Sequence, residues 1–177
     1  MQMSSPAPRL LIVEPHKGGL SVMARRLGEA GYRIVACTKA TDAVAELHRA
    51  PVDLLVAELR MAPMSGIELT RLVRDDSSLK DLPVVLITGR TDATGAVDGF
   101  AAGADDVVAK PFHFEVLLAR IAGRLAKARA VRELRRDNAT LDARVTTRAI
   151  ELGEMRAAFE ASEAERRRLA AMVRVAG

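Results

Sequence analysis

Two kinds of hydrophobic spacing alternate along the first two thirds of the chain. Arg9–Glu14 (RLLIVE) is a continuous β-type run. Leu20, Met23, Ala24 and Leu27 then recur at three- and four-residue spacing, a helical stripe closed by Gly31, the residue type that ends helices in a left-handed turn. Tyr32–Cys37 reads as a second strand, Thr41–Arg49 as a helix and Val52–Ala57 as a third strand. Ser65-Gly66-Ile67-Glu68 has the form of a capping box and opens a helix carrying Ile67, Leu69, Leu72 and Val73. Leu82–Thr88 is a fourth strand, Asp92–Ala102 a helix ended by Gly103, and Asp106–Ala109 a fifth strand. Another helix starts near Phe112.

Strands alternating with helices in this way predict an α/β fold, an open and mostly parallel sheet covered on both faces. Sheets of this kind place their working residues at the carboxyl ends of the strands. Glu14, Glu58, Thr88 and Lys110 fall at those ends, far apart in sequence but gathered by the fold. They make a small acidic pocket with one hydroxyl and one ammonium. No Gly-rich phosphate loop, nucleophilic Ser/His pair or His-rich metal motif accompanies them. His16, His48 and His113 read as solvent-facing residues at helix starts or on helix surfaces. Cys37 reads as inert packing in the middle of a buried strand, and Met61 and Met64 as core filling or partner contact beside the pocket loop.

The tail follows a different pattern. From Phe112 to about Val175 there is no proline, and only Gly123 and Gly153 interrupt a helical sequence. A helix of that span is about 90 Å long at about 1.5 Å per residue, more than one small domain covers. A heptad runs from Val131. Its a positions are Val131, Asn138, Val145, Leu152, Phe159, Arg166 and Val173; its d positions are Leu134, Leu141, Arg148, Met155, Ser162 and Leu169. The apolar majority predicts a coiled coil, and a lone Asn at an a position favours two parallel strands. Arg148, Ser162 and Arg166 weaken the seam.

Charge sharpens the boundary. Of 27 basic and 23 acidic side chains, residues 1–126 hold equal numbers, so the net +4 belongs to 127–177. The chain therefore divides into a short disordered tail (1–8), an α/β domain (9–126) and a dimerisation helix (127–177). The apolar runs are too short to span a membrane, and residues 1–9 do not resemble a signal peptide. One cysteine rules out an intrachain disulfide, so a cytoplasmic protein is expected. Aromatic residues are 3% with no Trp, which counts against base stacking. Arg135-Arg136 and Arg166-Arg167-Arg168 lie on a mixed-charge helix, and nucleic acid is not the expected partner.

Four segments carry a resemblance: LLIVEPH (Leu10–His16), VDLLVAELRMAPMSG (Val52–Gly66), VVLITG (Val84–Gly89) and GADDVVAKPF (Gly103–Phe112). Residues 9–126 resemble the response-regulator receiver domains of two-component signalling, the CheY-like family. The resemblance implies a flavodoxin-like sheet of order 2-1-3-4-5. It also implies an acidic pair after the first strand, a phosphoacceptor Asp after the third, a switch hydroxyl, a switch aromatic and a phosphate-contacting lysine before a cis proline.

This chain keeps Thr88, Lys110 and Pro111 of that set. It carries Glu14-Pro15 for the acidic pair, Glu58 for the acceptor and Val107 for the aromatic. Mg²⁺ wants near-octahedral oxygen ligands, and Pro15 offers no side-chain oxygen. Glu58 is one methylene longer than Asp, which displaces its carboxylate from an in-line position. The resemblance, so modified, implies a non-enzymatic receiver that is not phosphorylated, with Mg²⁺ binding weak or lost and no other cofactor. Glu58 could then act as a fixed charge, pairing with Lys110 and accepting from Thr88.

The tail resembles the signalling helices that join receivers to output domains. Together these features imply a homodimeric adaptor, joined through Val131, Leu134, Asn138, Leu141, Val145, Leu152, Met155 and Phe159 and docking a histidine kinase or output protein. The alternative is a working phosphorelay receiver that transmits through the helix. The chain stops at Gly177, either as a stand-alone adaptor or as a piece of a longer protein.

Overall fold

The structure, a computed structural model, describes residues 6–89 and 92–175, and the side chains of 93 and 169–175 lie outside that description. In chain order the elements are β1 (Arg9–Val13), α1 (Lys17–Glu29), β2 (Arg33–Cys37), α2 (Ala40–Arg49) and β3 (Leu54–Glu58). α3 (Gly66–Asp75), β4 (Val84–Thr88), α4 (Ala93–Ala101), β5 (Asp106–Ala109) and α5 (Phe114–Val175) follow. Every strand pair is parallel and the sheet order is β2-β1-β3-β4-β5.

The near-continuous apolar runs follow from burial on both faces. On one face Leu10, Ile12, Leu54, Val56, Val85 and Ile87 pack against Leu20, Met23 and Leu27 of α1 and Phe114, Leu117, Ile121 and Leu125 of α5. The alternate residues Leu11, Val13, Leu55, Ala57, Val84 and Leu86 meet Ala40, Ala43 and Leu47 of α2 and Leu69 and Val73 of α3. Period-2 alternation thus splits each strand between two cores.

Local signals set the element ends. Ser65 and Glu68 form the reciprocal capping box of α3. Gly31 and Gly103 close α1 and α4 with φ of 91° and 97°. β3 starts two residues later than its hydrophobic run predicts, because Asp53 turns to the β1 edge and accepts from the Arg9 amide. At its other end β3 runs one residue beyond the predicted run, to Glu58. Cys37 ends β2 rather than sitting mid-strand, and its burial pushes the thiol pKa up. α5 starts at Phe114, two residues after Phe112.

Two compact units emerge, Met1–Ala130 and Val131–Gly177. The residues of α5 up to Ala130 belong to the first unit and the remainder to the second. The tail expected over 1–8 lies partly outside the described residues, but the Ala7 and Pro8 carbonyls accept from the Arg33 side chain and amide. Among the described residues, no helix is long and apolar enough to cross a membrane.

Gly66 matters most for the site above the sheet. Its amide donates to the Leu59 carbonyl at 3.0 Å, and a Cβ there would overlap the Glu58 carbonyl oxygen and crowd Leu59 and Leu86. Only a glycine lets α3 start against the end of β3. Gly66→Ala is expected to destabilise the domain by about 1–3 kcal/mol, the usual scale of overpacking. Urea unfolding of the variant checks this; an unchanged midpoint contradicts it.

Candidate functional site

The carboxyl ends of β1, β3 and β5 bring Glu14, Glu58 and Lys110 into one cluster. Lys110 Nζ donates to Glu14 Oε2 at 2.8 Å and to Glu58 Oε2 at 2.6 Å. The Glu14 side chain is 2% exposed and that of Glu58 12%, while the Lys110 side chain stays 41% exposed. The other Glu14 oxygen is taken by His16, from its amide at 3.0 Å and its Nδ1 at 3.1 Å. Three of the four oxygens of the two carboxylates are therefore committed to this chain's own donors.

Opposed effects act on these groups. Burial alone pushes Glu14 up, but the bonds from Lys110 and His16, with the lysine charge, outweigh it and hold the carboxyl below its ordinary 4.5. Burial pushes Lys110 down, and its bonds to Glu14 and Glu58 overcome that and raise the ammonium above its ordinary 10.5. Both groups are held charged.

Thr88 lies at the end of β4 but does not join the cluster. Its hydroxyl faces Asp92 Oδ2 at 3.5 Å, so the expected bond to Glu58 is not formed. Asp92 is the better-connected group. It accepts from Arg60 at 2.7 and 2.9 Å, caps α4 through the Gly95 amide, and has a pKa lowered to about 2 by the Arg60 bond first and the Gly95 amide next. This latch ties the loop after β3 to the loop after β4. Asp92 carried a helix-start signal in the sequence, but nothing there paired it with Arg60.

The remaining sequence-derived residues are dispersed. Pro15 is half-buried in the β1–α1 turn, and Pro111 is exposed after a cis Lys110-Pro111 bond. Val107 is half-buried against the α2/α3 core, with a γ-methyl 3.4 Å from where a Cβ on Gly99 would lie. Met61 and Met64 pack on that same core as filling. His16 is exposed yet serves the site, a role its surface position hid. His48 joins α2 to the loop after α3 through Asp76 at 3.0 Å. Among the described residues, no group of three or more His, Cys, Asp or Glu is placed to hold a metal ion, and no buried side-chain nitrogen or oxygen lacks a hydrogen-bond partner.

Comparison with known proteins agrees with this architecture. Residues 10–122 match the family model described as response regulator receiver domain. The two-component response regulator PhoP of Pseudomonas aeruginosa is 37% identical over 120 residues, covering 68% of this chain and 52% of that protein. Regulatory protein VanRB of Enterococcus faecalis is 31% identical over 156 residues, covering 86% of this chain and 70% of that protein. The chain spans about half the length of several of the curated relatives it matches. Among solved structures, a putative response regulator from Chloroflexus aurantiacus has a TM-score of 0.66 at 28% identity, covering 68% of this chain and 98% of that one. Chemotaxis response regulator CheY4 of Vibrio cholerae has a TM-score of 0.62 at 26% identity, covering 67% and 98%.

The cluster makes a pH-dependent prediction. Glu14, with its lowered pKa, contributes stability above 4.5 that is lost as pH falls through its folded value. Lys110, with its raised pKa, contributes below 10.5 and loses that contribution as pH rises through its folded value. Lys110→Met leaves Glu14 buried without its counter-ion and is expected to cost about 1–3 kcal/mol near neutrality. The difference from the unmodified protein should shrink as pH falls through the folded value of Glu14, which lies below 4.5, because the carboxyl then carries no charge to be left unpaired. Urea unfolding across a series from neutral to acid pH checks this, and a pH-independent difference contradicts it.

Proposed function

The chain belongs to the response-regulator receiver family, and we propose that it serves two-component signalling as a docking module rather than as a phosphorylated switch. The observation that carries this reading is the Lys110 bridge, with an ammonium between the two carboxylates nearest the strand ends. Receiver phosphorylation depends on Mg²⁺, and the residues present do not fit it. Three carboxylate oxygens already accept from Lys110 and His16. Pro15 supplies no side-chain oxygen, whereas Mg²⁺ holds to near-ideal octahedral geometry with oxygen ligands. A bound Mg²⁺ would have to displace a tethered cation from a site built around it. Glu58, at the acceptor position, also carries its carboxylate one methylene further out.

The second support is Thr88. Its hydroxyl faces Asp92, inside the Arg60 latch, rather than the cluster. Glu58 therefore does not draw the hydroxyl in, which favours a fixed scaffold over a permanently switched state. On this reading the receiver docks a histidine kinase or an output protein in the cytoplasm, through protein contacts and without catalysis. The helix beyond Ala130 supplies homodimerisation through its exposed apolar residues.

Acetyl phosphate with Mg²⁺ tests the central step. The protein is expected to gain no phosphoryl mass, whereas the double variant Pro15→Asp/Glu58→Asp, which restores both carboxylates, gains one. Intact-mass spectrometry reads both. Mg²⁺-dependent labelling of the unmodified chain would instead establish a working phosphorelay receiver.

A further inference from the structure

A cavity of about 500 Å³ opens between α1 and the turn that leads from β5 into α5. It adjoins the lysine bridge without enclosing it: Glu14 and Lys110 line one part, but Glu58 and Thr88 are not in its wall. Small-molecule sites are typically about 300–1,000 Å³ and mostly apolar, with a few polar groups. We propose that this cavity binds a small aromatic carboxylate, its charge on Arg26 and its rings against Met23, Phe112 and Phe114.

One helical face supplies the α1 side. Gly18, Val22 and Arg26 follow one another at four-residue spacing, with Gly19 and Met23 beside them. Val22 is 50% exposed and Phe112 half-buried, so an apolar body seated here removes both from water. The fold does not require the two glycines. Neither has a positive φ. A Cβ on Gly18 would meet nothing within 4 Å, and one on Gly19 would make ordinary contact with the Glu14 side chain at 3.4 Å. Glycine weakens a helix relative to alanine, so alanine would be the more stable residue at both positions. Bare backbone instead leaves room for a ligand to approach α1 closely.

Charge selects the sign of the ligand. Glu14 is buried, and both its oxygens are taken by Lys110 and His16. The side chains of Arg26 and Lys110 are 43% and 41% exposed, so the charges that remain open to the cavity are positive. Lys110 already holds two carboxylates, and a third beside it would be repelled by both. Arg26 is less committed. Its ion pair with Glu115 is 3.5 Å long and exposed to water, a kind that contributes little. Its guanidinium carbon lies 4.3 Å from the centroid of the Phe114 ring. That contact holds the group in place, while its N–H fork stays able to grip a carboxylate. The ring that positions the arginine is also the surface on which the ligand's own rings rest.

Titration of the full chain with biphenylacetate, followed by amide NMR, tests this. Saturable shifts are expected at Gly18, Gly19 and Phe114, with a Kd of about 1 mM or tighter, the scale for a ligand of that size. The uncharged biphenylacetamide should bind about fivefold more weakly or worse, and Arg26→Gln should weaken the acid by a similar factor. Gly18→Leu adds bulk where the structure leaves open space, so it should fold normally and bind the acid about tenfold more weakly. Absence of saturable shifts in α1 at about 5 mM probe overturns the inference. Shifts confined to the helix beyond Ala130 overturn it too, because they place the probe on the exposed apolar residues there. Equal binding of the amide, or an affinity that neither variant lowers, contradicts the site as assigned.

Discussion

One ammonium group organises the working end of this molecule. Lys110 Nζ lies 2.8 Å from Glu14 and 2.6 Å from Glu58, and it neutralises charge that the sheet would otherwise bring together unpaired. Glu14 is almost wholly buried, so an ionised carboxyl there needs a counter-ion and hydrogen bonds. It receives both, from Lys110 on one oxygen and from His16 on the other. The same bonds that make the site stable use the oxygens a metal ion would need. Stability of the pocket and openness to a divalent cation therefore compete for the same atoms.

The fold supplies the geometry for this competition. Strands β1, β3 and β4 are buried on both faces, so their ends are positioned by two cores rather than one. Gly66 lets α3 close against the end of β3, where Glu58 sits. The Arg60–Asp92 latch joins the loops beyond β3 and β4 and takes the Thr88 hydroxyl with it. The pocket is consequently two separate charge systems side by side, a lysine-bridged carboxylate pair and an arginine-bound helix cap. The Thr88 hydroxyl belongs to the second system.

Much of this was readable in the amino-acid order because the relevant physics is local. Alternation between β-type runs and helical stripes predicted ten elements in the right order, and the capping box and Gly31 marked ends that the structure shows. Glu14, Glu58 and Lys110 were legible as a cluster because the ends of parallel strands converge by topology. Side-chain partner choice was not legible. Thr88 reaches Asp92 rather than Glu58, a matter of a loop's path. Arg60 and Asp92 are 32 residues apart on loops with no periodic signal. His16 looked like an ordinary surface histidine, since its bond to Glu14 depends on the turn at Pro15. The helical tail shows the same division: its seam is written in the heptad, but the occupant of that seam is not.

The most direct test of the central claim is a carbon-detected NMR titration of the Glu14 and Glu58 side-chain carboxyls, run with and without Mg²⁺. If Lys110 serves as the site's resident cation, Glu14 titrates below 4.5 in both samples and millimolar Mg²⁺ shifts neither carboxyl. A Mg²⁺-dependent shift of both resonances, with a further fall in the Glu14 pKa, would show that the metal displaces the lysine and would contradict the account.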